Sequence, residues 1–438
     1  MAHLLGPVIA LPRRAAIGRM IARRIHYHPP MPLPSKSQPA FAEFIIMMAL
    51  TMSLVALSID TMLPAHGIIG VEFALGNIND TQFMVYMLFI GLGFGQLLFG
   101  PLADNLGRIP AIFLGLSCFA VGTVVSLLAT DYTIMLLGRL LQGVGVAGPR
   151  TITVAVVRDL YKGRRMASVM SFIMSIFILV PAIAPALGQA IMLIADWRSI
   201  FWSFLGLAAL VGWWFAVRQP ETLKPEHRQA LDATTLWRNA RRVFRSRVAM
   251  GYTLAAALIS GAFVGFLATA QQILQVQYEL GVRFPLYFAP LALCVGASQL
   301  INARIVMRYG MRALATTAAI AVSLIALLLL VATFASDGLP PLALTMAGLM
   351  ALLLCIGFLF GNLNALAMEP MGHIAGTAAA IIGALTTLLS SAIGVGSGIL
   401  YNETLYPLSG SFLLFGLLTG LTIVLTDRNA PPAAATLD

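Results

Sequence analysis

Phe41-Ala-Glu-Phe-Ile-Ile-Met-Met-Ala-Leu-Thr-Met-Ser-Leu-Val-Ala-Leu-Ser-Ile-Asp60 opens the apolar part of this chain. A helix of roughly 20 residues rises about 30 Å, the thickness of a bilayer's hydrocarbon core. After Glu43 the stretch holds no charge until Asp60, a residue type that an apolar span accommodates at a cost of several kcal/mol. Eleven more runs of this kind follow before Thr426. The chain therefore reads as an all-α polytopic membrane protein with twelve transmembrane helices. Its 438 residues are 59% hydrophobic and 10% charged, with mean hydropathy +0.90, which excludes a soluble globular domain. The connections are too short to hold a soluble catalytic domain.

The charge of +10 is distributed by topology. Lys and Arg crowd the N-terminal segment, the loops after the fourth and eighth spans, and the long loop from Arg218 to Arg247. The opposite loops hold only Arg198 and Arg283. By the positive-inside rule the crowded side is cytoplasmic, with both termini there, and the basic balance needs no nucleic acid to explain it. The chain then divides into a basic cytoplasmic segment (1–40), a six-helix bundle (41–217), a central cytoplasmic loop (218–248), a second six-helix bundle (249–426) and a cytoplasmic tail (427–438). Cys118, Cys294 and Cys355 fall within spans and imply no disulfide framework.

The bundles read as pseudo-repeats. Gly95-Gln-Leu-Leu-Phe-Gly-Pro-Leu-Ala-Asp104-Asn-Leu-Gly107-Arg108 lies over Ser298-Gln-Leu-Ile-Asn-Ala-Arg-Ile-Val-Met307-Arg-Tyr-Gly310-Met311, matching Gln96 to Gln299, Leu97 to Leu300 and Gly107 to Gly310. Repeated halves around a midplane site are a common plan of secondary transporters.

Ionisable residues inside spans are functional candidates by default. Here they are Asp60, Arg139 and Arg150. Asp60 near the outer end of the first span and Arg139 at similar depth in the fourth could form an ion pair. Such a pair is either a proton-sensitive switch, released when Asp60 takes up H⁺, or a fixed packing contact. Arg150 returns to the face of Arg139 after three turns, and either adds to a positive cavity wall or reaches toward the inner surface.

Gly100-Pro-Leu-Ala-Asp104-Asn-Leu-Gly107-Arg108 is expected to turn tightly at its glycines, with Asp104 at the start of the third span and Arg108 four residues on. Pro181, Pro185 and Gly188 bend the fifth span, as a rocking element or an inert kink. Gly143, Gly145, Gly148 and Pro149 are expected to break the fourth. Met52, Phe263, Phe266, Gln271, Gln275, Asn362 and Asn364 are candidates for a substrate cavity, each with an alternative role in core filling or interhelical hydrogen bonding. The six histidines are expected in loops or tails, no HExxH occurs, and no metal site is implied.

Together these landmarks resemble the major facilitator superfamily over residues 41–426. Gly100-x-x-x-Asp104-x-x-Gly107 resembles its loop signature. Leu137-Gly-Arg139-Leu-Leu-Gln142-Gly143 resembles its fourth-span signature, and Ala184-Pro185-x-x-Gly188 that of its drug antiporters. Leu57-Ser-Ile-Asp60-Thr-Met-Leu-Pro64, Arg158-Asp159-Leu-Tyr161 and Glu221-Thr-Leu223 are similar to the bicyclomycin-resistance (Bcr/CflA) subgroup. The resemblance implies drug–proton antiport by alternating access in the bacterial inner membrane. The partners it implies are a drug-like small molecule, protons and the lipid bilayer. No cofactor beyond the proton gradient is implied, and a single chain is expected to suffice. It makes Asp60 the proton or cation carboxylate, Arg139 its partner, and Asp104, Gly107 and Arg108 parts of a conformational latch. Ala184 and Gln189 replace two glycines of the antiporter signature, which leaves symport, or export of one metabolite, as alternatives. An embedded enzyme or sensor lacks the catalytic groups or output domain it would need.

Overall fold

A computed structural model describes residues 39–228 and 233–428. Among these, twelve helices are long and apolar enough to cross a membrane. The first span is α1 (Phe41–Asp60), a 3₁₀ turn (Leu63–Ala65) that holds Pro64, and α2 (His66–Glu72). Five more complete the first half: α3 (Phe83–Leu106), α4 (Arg108–Leu127), α5 (Tyr132–Leu160), α6 (Gly163–Ile194) and α7 (Arg198–Arg218). The second half contains α9 (Arg247–Ala270), extended by a π-helical segment Gln271–Gln277, then α10 (Phe284–Tyr309), α11 (Met311–Ala335), α12 (Leu342–Met368), α13 (Ala375–Ile399) and α14 (Tyr406–Arg428). Between the halves, α8 (Ala233–Arg245) occupies much of what the sequence reads as loop, with Trp237 and Phe244 exposed beside its arginines. The basic segment before residue 39 and the tail after residue 428 lie outside the described residues.

The pseudo-repeat is visible in the packing. In the first half α4 packs on α5, α3 on α5, α1 on α6, and α4 on α7; in the second, α11 packs on α12, α10 on α12, α9 on α13, and α11 on α14. The same pairing of span numbers thus recurs in both halves. Across the halves α3 meets α13 and α6 meets α10, which the same correspondence exchanges. Gly107 (φ 109°, ψ 164°) and Gly310 (φ 79°, ψ 153°) turn the chain between equivalent spans through a region open essentially only to glycine.

Several sequence expectations change. The first span does not end near Ala65: helix resumes after Pro64, and His66 is enclosed at 1% exposure instead of standing in a loop. The fourth span is not broken, because α5 runs unbroken through Pro149. Its glycines serve close approach instead: a methyl at Gly143 would sit 2.1 Å from the Leu88 carbonyl oxygen, and one at Gly145 2.2 Å from the Phe119 amide. Gly100 lies within α3 and makes no turn. Pro181 and Pro185 lie within a continuous α6.

Candidate transport site

Three polar regions lie along the bundle. At the end that bears the loop after α3, Arg108 is 3% exposed and donates to Asp104 at 2.6 Å and to Asp159, on α5, at 2.8 Å. Asp104 closes α3 and does not open α4. An acid at a helix C-terminus is unfavourable, and Arg108 four residues on offsets this. The carboxylate that does cap α4 is Glu221, which accepts from the backbone amides of Arg108 and Ile109, both at 3.0 Å. Thr222 donates to Asp159 at 3.2 Å and closes the network. In the sequence Asp159 and Glu221 stand out only as motif matches; their separations of 51 and 113 residues from Arg108 hide the contact.

Gly107 seats Glu221: a methyl there would lie 2.6 Å from its Oε2. Gly107→Ala is therefore expected to cost about 1–3 kcal/mol in backbone strain and to displace the cap. Glu221→Gln keeps the shape and loses the charge. Transport rates in proteoliposomes, with detergent melting as the stability control, should fall more for Gly107→Ala than for Glu221→Gln. Equal wild-type rates in both would remove the network from the transport cycle.

The second region is Arg139, fully enclosed. Its Nη2 donates to the Ser58 carbonyl at 2.8 Å, its Nε to the Met84 carbonyl at 3.2 Å and its Nη1 to Gln142 Oε1 at 2.9 Å. Gln142 in turn donates to Thr123 at 2.8 Å. One guanidinium thus joins α1, α3 and α5, and α4 through Gln142. The ion pair expected with Asp60 is not formed. Asp60 is 4% exposed, with no ion pair or hydrogen bond to a described residue. Residues 58 and 60 stand about 200° apart on a helix, so a cation seated at the Ser58 carbonyl lies off the face that bears Asp60.

Arg150 shares the azimuth of Arg139 but is exposed, and it makes no ion pair with a described residue. Neighbouring positions on one side, Gly143 and Ala147, pack against α3 at Leu88 and Gly95. On the other side Arg139 reaches α1. Arg150 and Val154, four residues on, are both exposed on the same helix.

The third region closes the opposite end. Gln82 donates to Gln272 at 2.7 Å, Gln272 to the Ile78 carbonyl at 3.0 Å, Asn79 to the Tyr401 carbonyl at 2.8 Å, and Tyr86 to the Gly394 carbonyl at 2.9 Å. Each bond joins one half to the other. Deeper along the same seam, Gln96 donates to Thr387 at 3.3 Å.

The remaining cavity candidates divide. Asn362 is buried and exchanges hydrogen bonds with Asn302 on α10, so it holds two helices together. Asn364 is exposed. Met52 is buried in α1, and Phe263 meets Phe360 edge-on at 5.4 Å. Phe266 is packed within the second half, beside a small cavity bordered by Thr269, Ser397 and Tyr401. Gln271 and Gln275 alone of the set combine burial with unused polar atoms.

Two six-helix repeats joined along paired helices, with the polar and charged side chains turned inward, define a secondary transporter. The chain belongs to the Major Facilitator Superfamily, whose family profile matches residues 40–397. It is 27% identical to a bicyclomycin resistance protein homolog of Haemophilus influenzae, across 80% of this chain and 87% of that one. A chloramphenicol resistance protein of Pseudomonas aeruginosa is 31% identical across 59% of this chain and 60% of its own. Among solved structures, the xylose transporter of E. coli in a partially occluded inward-open conformation superposes with TM-score 0.68 over 89% of this chain and 98% of that one; its 14% identity speaks for the fold alone.

Proposed function

We propose that this transporter exports drug-like amphiphilic molecules across the bacterial inner membrane in exchange for protons, by alternating access and with both termini in the cytoplasm. One observation carries the coupling: Asp60 is an acid enclosed in a spanning helix without a cation or donor among the described residues. A carboxyl group in such a place is far cheaper to hold with its proton than without. It can therefore take up a proton on one side and give it up only when access changes. In this reading the seam of Gln82, Gln272, Asn79 and Tyr86 is the shut periplasmic gate. The Arg108 network latches the cytoplasmic side, and Arg139 is a fixed strut that positions α1, not the switching partner of Asp60. A single chain suffices, the proton gradient is the only energy source, and no cofactor takes part. Resistance proteins among the relatives support an amphiphilic drug as cargo.

The test is transport in everted vesicles from a strain that lacks its own pumps. Substrate should accumulate when the lumen is acid and leave when the gradient is collapsed by an uncoupler. Accumulation driven by an alkaline lumen would reverse the direction and indicate symport.

A further inference from the structure

Among the described residues, seven buried side-chain atoms lack any hydrogen-bond partner, and six of them belong to one neighbourhood: Thr61 Oγ1, both ring nitrogens of His66, and the amide oxygens of Gln189, Gln271 and Gln275. The seventh belongs to Gln219, at the far end of the bundle. Two close approaches at glycines bring these segments together. A methyl at Gly67, beside His66, would lie 3.4 Å from Gln271 Nε2, so the start of α2 rests on the π-helical segment. A methyl at Gly188 would lie 2.0 Å from the Thr61 carbonyl oxygen, which presses α6, and Gln189 with it, against the same turn. Leaving a buried polar atom unpaired costs about 1–3 kcal/mol, and native interiors hold few of them. Six in one place describe a site that is completed by something else. Helices that widen to π geometry are found often at such places.

We propose that this cluster is a subsite for the neutral, donor-rich part of the transported molecule: hydroxyl or amide groups that hydrogen-bond to Gln189, Gln271 and Gln275 while Thr61 and His66 give and accept. The fully enclosed amide atoms without a partner are acceptor oxygens, so the complementary group donates to them, and the N–H groups of the same amides can donate in return. Amide, hydroxyl and imidazole groups bear no fixed charge, so the ligand's charge, where it has one, is read elsewhere, beside Asp60 or Arg150. Gln189 stands where the antiporter signature has glycine, and its long side chain accordingly adds a reader of hydroxyl or amide groups to a position that elsewhere gives only close packing. The subsite rests on the export reading above.

The experiment compares two probes on the purified full-length protein by direct binding: chloramphenicol, which is neutral and donates through two hydroxyls and an amide, and tetraphenylphosphonium, a permanent cation without any donor. In the His66→Leu/Gln271→Leu variant the affinity for chloramphenicol relative to tetraphenylphosphonium should fall at least about tenfold, the effect of losing one or two net hydrogen bonds. Gln219→Leu, at the orphan outside the cluster, should leave that ratio at the wild-type value. An unchanged ratio would mean that ordered water alone fills the site and would overturn the proposal; so would an equal loss of both probes, which marks a structural role. Should the double variant fail to insert, His66→Asn and Gln271→Asn, each a shorter polar side chain, read the same ratio singly, and a ratio unmoved in both overturns it. Wild-type protein that binds only tetraphenylphosphonium overturns the subsite and spares the export reading. Binding of neither probe removes both.

Discussion

Asp60→Asn should reduce proton-driven efflux to background while the protein still inserts and still exchanges labelled for unlabelled substrate without a gradient. Asn has the shape of the protonated acid and cannot release a proton, so the variant is frozen in one half of the coupling cycle. The structural cost is small, because no ion pair or hydrogen bond with a described residue is lost at this position. Exchange assays and gradient-driven efflux in the same proteoliposomes separate the two activities. Full coupled efflux by Asp60→Asn would remove this carboxylate from the mechanism. Loss of exchange as well would assign Asp60 to substrate binding or helix packing.

Arg139 should be equally intolerant for a different reason. Arg139→Met leaves the Ser58 carbonyl and Gln142 Oε1 without this donor and takes from the Met84 carbonyl, already bonded within α3, its second one. Each acceptor left unmade in the interior costs about 1–3 kcal/mol, so melting temperature and transport should both fall sharply. Arg139→Lys keeps the charge but replaces a planar fork by one ammonium, which cannot serve acceptors on three helices and an adjacent amide at once. Lys should therefore fail to restore transport, and adding Asp60→Asn to Arg139→Met should rescue nothing. If instead Lys restores full activity, charge and not geometry is what the fourth span supplies. A double variant that recovers stability would show that the two residues do pair in the working protein.

How far the sequence could be read is clearest in particular residues. The loop around Asp104 was legible as a charged turn, since Asp104, Gly107 and Arg108 are neighbours in the chain. The idea of an acid at the start of α4 was also sound, but the acid is Glu221, brought in from beyond α7. Arg139 stood out because a lone cation in an apolar run has few explanations. Its partners did not, because two are backbone carbonyls, which every residue possesses. His66 escaped notice because Pro64 reads as the end of a helix, whereas the bundle absorbs it in one 3₁₀ turn and carries the helix on to Glu72. The glycines of α5 read as a break and are contact surfaces instead; local propensity for disorder and the need for close approach call for the same residue.

By itself the sequence determined the number of spans, their division into two related halves, and which few residues would be polar inside them. It could do so because a bilayer makes each span satisfy its own backbone and declare its own hydropathy, residue by residue. Only the tertiary structure decided which polar groups meet. Arg139 went to two carbonyls and an amide and not to Asp60, and six orphaned atoms gathered from the turn after α1, α2, α6 and the π-helical segment after α9. Depth and azimuth on separate helices set those meetings, and neither is written in any one stretch of chain.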